Sequence, residues 1–292
     1  MDSSPCRRFR RHNPPIGHTT RFAPSPTGLL HLGHAYAAWF AHQCARPDGR
    51  FLLRIEDIDT ARSRKEYILA IFEDLEWLGV PYTGQVRFQS EHFSIYQSAV
   101  DRLGDLGLTY PCFCSRKDIE SATDAPHGAT PHHYPGTCRG LDPDRAADRI
   151  AKGEPYALRV DTEKALRQAG PLSFIESGLL RNVDYGALDD FVVARKEIPT
   201  SYHLSVVLDD AAQGVTLVTR GKDLLESVAP QRLLQSLLDL PQPEYRHHSL
   251  VCDESGKRLA KRSGSVSIRQ LRESGLTPGQ VYGLALERLC QS

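Results

Sequence analysis

Short apolar runs alternate with amphipathic stretches along the first third of the chain. Thr20 to Ala23 and Arg50 to Ile55 read as strands. Between them, His34 to Ala45 is rich in alanine and aromatic residues and free of glycine and proline, which predicts a helix. Strand, helix and strand in that order predict a parallel βαβ unit. Glu66 to Leu78 places Ile68, Leu69, Phe72, Leu75 and Leu78 at three- and four-residue spacing, an amphipathic helix stopped by Gly79. Phe93 to Leu106 repeats the pattern less cleanly, and both helices are expected to cover the sheet. Further on, Phe191 to Ala194 and Val215 to Thr219 carry parallel-strand signals, linked by the segment from Tyr202 to Asp210. Gln231 to Leu240 predicts a short helix, Glu244 to His248 a strand, and Val281 to Leu289 a terminal helix. There is no internal repeat.

The periodicity lapses between Tyr110 and about Tyr185. Cysteines, histidines, prolines and glycines crowd Pro111 to Gly140, a stretch that needs something other than an aliphatic core to order it. An inserted subdomain is expected here. Cys112-Phe113-Cys114 and Cys138 supply three thiols, and zinc takes thiolates in tetrahedral sets of four. By ligand chemistry alone the fourth position goes to His127, His132 or His133. Three reduced cysteines packed without a metal are the simpler alternative.

The chain has 292 residues and balanced charge, 36 basic against 36 acidic. A nucleic-acid partner would therefore have to be met by a local basic surface rather than by global attraction. No apolar run is long enough to span a membrane, and the first residues lack the apolar stretch of a signal peptide. A soluble, cytoplasmic protein without a membrane partner is expected. Arg7, Arg8, Arg10 and Arg11, followed by Pro14 and Pro15, read as a basic disordered tail over residues 1–19. Seven cysteines without an export signal argue for thiols and against a disulfide scaffold.

The most informative segment is Arg21-Phe22-Ala23-Pro24-Ser25-Pro26-Thr27-Gly28-Leu29-Leu30-His31-Leu32-Gly33-His34. Pro24, Pro26 and Gly28 break regular structure, and Gly33 leaves the backbone open to a phosphate or sugar. The amides and dipole of the following helix would point at an anion beside His31 and His34, two residues expected to meet on its first turn. These features predict a nucleotide site.

That segment, with Arg54-Ile55-Glu56-Asp57-Ile58-Asp59, closely resembles the start of the glutamyl- and glutaminyl-type class I aminoacyl-tRNA synthetases, and HLGH stands where they carry their HIGH signature. Lys257-Arg258-Leu259-Ala260-Lys261-Arg262-Ser263 resembles their KMSKS loop, with Arg258 at the first lysine and Ala260 at the serine. An arginine there keeps the charge and changes the geometry. The resemblance implies an α/β fold: a Rossmann-like parallel-sheet catalytic domain of the class I aminoacyl-tRNA synthetases with an inserted zinc-binding subdomain. Its expected divisions are the tail 1–19, a first Rossmann half 20–110, the insertion 111–187, a second half 188–250, and the KMSKS-like loop with C-terminal helices over 251–292. No anticodon-binding domain is expected after Ser263. Together with the Cys-x-Cys and Tyr-x-x-x-Cys set, this is similar to the glutamyl-Q tRNA(Asp) synthetase family. Membership would imply activation of L-glutamate by ATP and transfer to the queuosine base at the wobble position of tRNA(Asp), whose anticodon stem-loop would meet the insertion. The alternatives are a truncated glutamyl-tRNA synthetase charging tRNA(Glu) and a non-catalytic tRNA-binding paralogue.

The same resemblance assigns roles. His31, His34 and Lys261 would be catalytic, stabilising the phosphates. Pro24, His31, Gly33, His34, Arg258, Leu259 and Lys261 would bind ATP, with Mg2+ expected on the nucleotide. Residues Arg21, Phe22, Ala23, Pro24 and Ser25, with Glu56, Tyr202 and Arg220, fall on the glutamate positions. Chemically, a side-chain carboxylate suits the cations Arg21 and Arg220, and an ammonium suits Glu56. The blander readings are a surface ion pair for Arg220, a core aromatic for Tyr202, and a pairing of Glu56 with Arg54 or Arg62. Tyr134 would join Cys112, Cys114 and Cys138 around one structural Zn2+. A monomer is expected.

Overall fold

The computed structural model describes residues 17–115, 117–119, 134–186, 188–253, 259 and 266–290. Residues 1–16 of the expected tail, Lys257 to Arg258, Ala260 to Ser263 and the three histidines before Tyr134 lie outside them, whereas residues 17–19 belong to the fold, the Arg50 amide donating to the His18 carbonyl at 3.0 Å and Thr19 opening the first strand. The chain opens with β1 (Thr19–Phe22), α1 (Leu32–Ala45) and β2 (Arg50–Ile55), and β1 and β2 pair in parallel as the alternation predicts. Small residues let α1 sit close on the strands: Ala35, Ala38, Ala41 and Ala45 are all buried, and the Thr20 hydroxyl donates to the Ala41 carbonyl at 2.9 Å. β3 (Arg87–Phe88) extends this sheet beyond β2. α2 (Lys65–Trp77) and α3 (Phe93–Asp105) follow the predicted amphipathic stretches. Leu69, however, is 51% exposed. At 100° per residue the inward stripe runs through Ile68, Ile71, Phe72 and Leu75, and Leu69 falls beside it.

A second sheet holds β9 (Leu217–Gly221), β10 (Glu244–His248) and β6 (Ser173–Glu176) in parallel, with β7 (Leu179–Asn182) antiparallel on β6. It adjoins the first edge to edge, because the Thr216 amide donates to the Thr19 carbonyl at 2.9 Å. β6 and β7 come from the cysteine-bearing part of the chain yet share the sheet of β9 and β10. β4 (Thr109–Cys112), β5 (Ala157–Val160) and β8 (Val192–Arg195) form a third, fully antiparallel sheet. The parallel strand expected at Phe191 to Ala194 is thus corrected: apolar content reports burial, whereas direction is set by the neighbour, here β5. Helices α4 (Pro143–Ala151) and α5 (Thr162–Ala169) flank this sheet's segment.

α6 (Tyr202–Ala212) and α7 (Val228–Leu237) carry Leu204, Val207, Leu233 and Leu234 into one core with Val100 and Leu103 of α3. The last helices, α8 (Ile268–Glu273) and α9 (Pro278–Glu287), return to the first core. There Ile268, Val281 and Ala285 pack with α1, and the rings of Trp39 and Tyr282 lie 5.9 Å apart. The expectation of thiols and no disulfide scaffold meets one exception at this end, because Cys252 and Cys290 form a disulfide beside an antiparallel bridge between Val251 and Leu289. That contact joins residues 38 positions apart, a proximity that spacing alone does not reveal. Cys44, Cys112, Cys114 and Cys138 are not in disulfides. Among the described residues, no helix is long and apolar enough to cross a membrane.

Candidate active site

The start of α1 is built from its two histidines. His31 is the N-cap, one residue before the first turn rather than on it, and its Nδ1 accepts the Gly33 amide at 3.1 Å. In return His34 Nδ1 accepts the His31 amide at 3.1 Å, a reciprocal cap of the kind Ser and Glu usually make. Both neutral rings therefore carry their proton on Nε2. The ring centroids lie 3.9 Å apart, so two N–H donors and the positive end of the helix converge. A Cβ on Gly33 would come within 3.1 Å of His31 Cε1, so a side chain there would push the ring from its place.

These donors open into a cleft of about 650 Å³ at the C-terminal ends of β1, β2 and β9. Residues 21 to 25 form one wall; His31, Gly33, His34 and Leu259 form another; Glu56, Tyr202 and Arg220 complete it. The candidate nucleotide and amino-acid residues within the described part of the chain are thus gathered in one cavity. Arg258 and Lys261 lie outside the described residues.

Two adjacent carboxylates on α6 hold the cations in place. Arg21 donates from Nε to Asp210 Oδ1 at 3.0 Å and from Nη1 to the Thr219 carbonyl at 3.1 Å. Arg54, fully buried, donates to Asp210 and, at 2.8 Å, to Gln213 Oε1. Asp209 accepts from Arg87 at 2.7 Å, Gln89 at 2.8 Å and the Tyr96 hydroxyl at 3.0 Å. Burial opposes ionisation of Asp210, but Arg21 and Arg54 prevail and hold its carboxyl below the usual range. Sequence reasoning missed this pair. Its signal was two carboxylates ending the apolar run Leu204-Ser205-Val206-Val207-Leu208, which buried would require cationic partners.

Glu56 behaves differently. Arg54 is committed to Asp210 and Arg62 to Asp59, so neither expected partner takes it. It is partly buried and lines the cleft, and burial, opposed by Arg54 and Arg21, pushes its carboxyl up to about 7. An incoming ammonium would find this carboxylate available. Because only the charged form holds an ammonium, kcat/KM for an amino-acid substrate should fall about tenfold per pH unit below about 7. Glu56→Gln should remove that dependence, and a pH series of the two proteins compares them. Stability runs oppositely: with a folded value of about 7 against 4.5, the native state takes up a proton between them, so this group's contribution is lost as pH rises through 7.

Arg220 is 6% exposed, which removes the surface ion-pair reading. Its Nε donates to His247 Nε2 at 3.0 Å and its Nη1 to Gln231 Oε1 at 2.7 Å, while Nη2 has no hydrogen-bond partner among the described residues. Tyr202 opens α6 behind its N-cap Ser201, and burial raises its hydroxyl. It lines the cleft and is therefore more than a core ring.

Outside the cleft, Cys112, Cys114 and Cys138 bring their sulfurs within 4.8 Å of one another. Cys114 and Cys138 Sγ lie 3.6 Å apart, close to the roughly 3.8 Å of two sulfurs on one tetrahedral zinc. The Tyr134 hydroxyl is 3.3 Å from Cys112 Sγ and accepts the Cys138 amide at 2.9 Å. The Arg159 guanidinium sits 3.8 Å over the Tyr134 ring. The donor set fits a thiophilic cation.

The chain is similar to known proteins in sequence and in fold. The chain is 47% identical, over 91% of its length and 98% of theirs, to the glutamyl-Q tRNA(Asp) synthetase of Rhodobacter capsulatus. It is 39% identical to the glutamate–tRNA ligase of Aquifex aeolicus, covering 90% of this chain and 55% of that one. The crystal structure of glutamate-tRNA synthetase from Elizabethkingia anophelis superposes with a TM-score of 0.67 at 25% identity, over 89% of this chain and 54% of that one. The chain thus spans about half the length of that solved synthetase. Residues 18–288 match the catalytic domain of the class I tRNA synthetases of the E and Q type, and the chain belongs to that family.

Proposed function

We propose that the protein activates L-glutamate with ATP and passes it to the queuosine base at the wobble position of tRNA(Asp). The observation that carries the first step is the charge layout of the cleft: two anchored arginines, a carboxylate without an ion-pair partner among the described residues, and paired histidine donors at a helix start. Arg21 and Arg220 receive the side-chain carboxylate, with the Tyr202 hydroxyl as a further donor. Glu56 holds the α-ammonium. The α-carboxylate then attacks the α-phosphorus of ATP, pyrophosphate leaves, and Nε2–H of His31 and His34 stabilises the charge that develops on the phosphates. Lys261 and Arg258 are assigned to the same phosphates. Mg2+ accompanies ATP. In the second step a nucleophile of the queuosine base takes the acyl group and AMP leaves.

The acceptor rests on the relative from Rhodobacter capsulatus, matched over nearly its whole length. The glutamate–tRNA ligase relatives favour tRNA(Glu) as the competing acceptor. Incubating protein, ATP and labelled glutamate with tRNA(Asp) containing queuosine, tRNA(Asp) lacking it, and tRNA(Glu) separates the two. Label on the first alone is expected, and label confined to tRNA(Glu) would overturn the acceptor assignment.

Cys112, Cys114, Tyr134 and Cys138 would hold one Zn2+, which supplies a crosslink and, with all four positions taken, no activated water. Freshly purified protein is expected to contain about one zinc per chain, and chelation to lower its melting temperature. Elemental analysis giving a stoichiometry near zero would refute the site.

A further inference from the structure

Three strands place Glu176, His247 and Arg220 in one line. His247 on β10 is paired in register with Arg220 on β9, and the opposite neighbour of β10 is β6, which ends at Glu176. The contacts run Arg220 Nε to His247 Nε2 at 3.0 Å and His247 Nδ1 to Glu176 Oε2 at 2.7 Å, with the His247 amide on Glu176 Oε1 at 3.0 Å. The direction of these bonds is determined. A guanidinium Nε is always a donor, so His247 Nε2 accepts and the ring proton sits on Nδ1, where the Glu176 carboxylate takes it. Burial opposes ionisation of Glu176, but the His247 ring and amide hold its carboxyl below the usual range. The His247 side chain is 3% exposed and lies outside the residues that line the cleft.

We infer that Glu176 and His247 are positioning residues: they fix the rotation of the Arg220 guanidinium, a cleft-lining group whose buried Nη2 has no hydrogen-bond partner among the described residues, and thereby set affinity for the substrate's side-chain carboxylate. This rests on the proposed reading of Arg220 as a glutamate clamp. Gln231 fixes the second corner at Nη1, and a planar fork held at two corners has no rotation left. A histidine lacking the Nε2 acceptor would let the fork turn away without changing the net charge of the cleft.

His247→Phe keeps the ring and removes both nitrogens. In glutamate-dependent ATP–pyrophosphate exchange it is expected to raise KM for glutamate about tenfold or more, with KM for ATP and kcat within about threefold. His247→Gln restores a donor and an acceptor about as far apart as the two ring nitrogens, and should recover most of that loss. If His247→Phe melts at assay temperature, Glu176→Ala is read the same way and should raise KM for glutamate several-fold. An unchanged KM for glutamate in a folded variant, or equal rises for glutamate and ATP, overturns the inference. Imidazole 15N spectra of the unmodified protein judge the bond direction without any substrate: a proton on Nδ1 of His247 is expected, and one on Nε2 overturns it. Absence of glutamate-dependent exchange in the unmodified protein would instead remove the glutamate reading, leaving the tautomer result to stand or fall separately.

Discussion

His34→Ala is expected to slow glutamate-dependent ATP–pyrophosphate exchange by about a hundredfold to a thousandfold, while the affinity for glutamate changes little. The His34 ring lines the cleft and carries its proton on Nε2, because its Nδ1 is engaged by the His31 amide. Loss of one oriented donor to a developing negative charge removes about 2.7–4 kcal/mol of transition-state stabilisation. The same substitution deletes half of the reciprocal cap, which costs about 1 kcal/mol of helix stability. Melting curves measure that second effect directly, so a well-folded variant with unchanged exchange would exclude a phosphate role for His34. Lys261→Ala should give a parallel loss.

Asp210→Ala should destabilise the fold by about 3–5 kcal/mol, the magnitude for breaking a buried pair by removing one partner. The single carboxylate serves two guanidiniums, and Arg54 has no exposed surface on which to find water. Arg21 would retain only the Thr219 carbonyl, so the residual enzyme should also bind glutamate more weakly. Asp210→Asn keeps acceptor geometry and should lie between the two. Urea unfolding of the three proteins gives the comparison, and a loss below about 1 kcal/mol for Asp210→Ala would show that the cations are satisfied elsewhere.

What the sequence discloses and what it hides divide along contact distance. Residues 21 to 34 are legible because one short segment supplies a strand end, a broken loop and a capped helix, each marked by residue type. β1, α1 and β2 follow from local pattern for the same reason. The direction of β8 does not, since it depends on β5. Nor does Asp209–Asp210, whose partners Arg21 and Tyr96 lie 189 and 113 positions away. Glu56 is singled out by the family resemblance and suits an ammonium by residue type, but its freedom from Arg54 and Arg62 follows only from where those cations are spent. His247 and Glu176, 71 residues apart, have individual surroundings in sequence that carry no sign of each other.

The strand that brings Glu176 beside β10 also bears on how this protein could be taken apart. An enzyme whose cysteine-bearing segment were a detachable cassette could lose it, or exchange it for another module, and keep its amino-acid chemistry. Here the return path of that segment is woven into the parallel sheet as β6, with β7 folded over it. A deletion of 111–187 would expose the edge of β10 and leave His247 without its carboxylate. Grafts that replace the cysteine-bearing segment should therefore be spliced before Ser173, so that β6 stays on β10, and they must offer β8 a strand in place of β5.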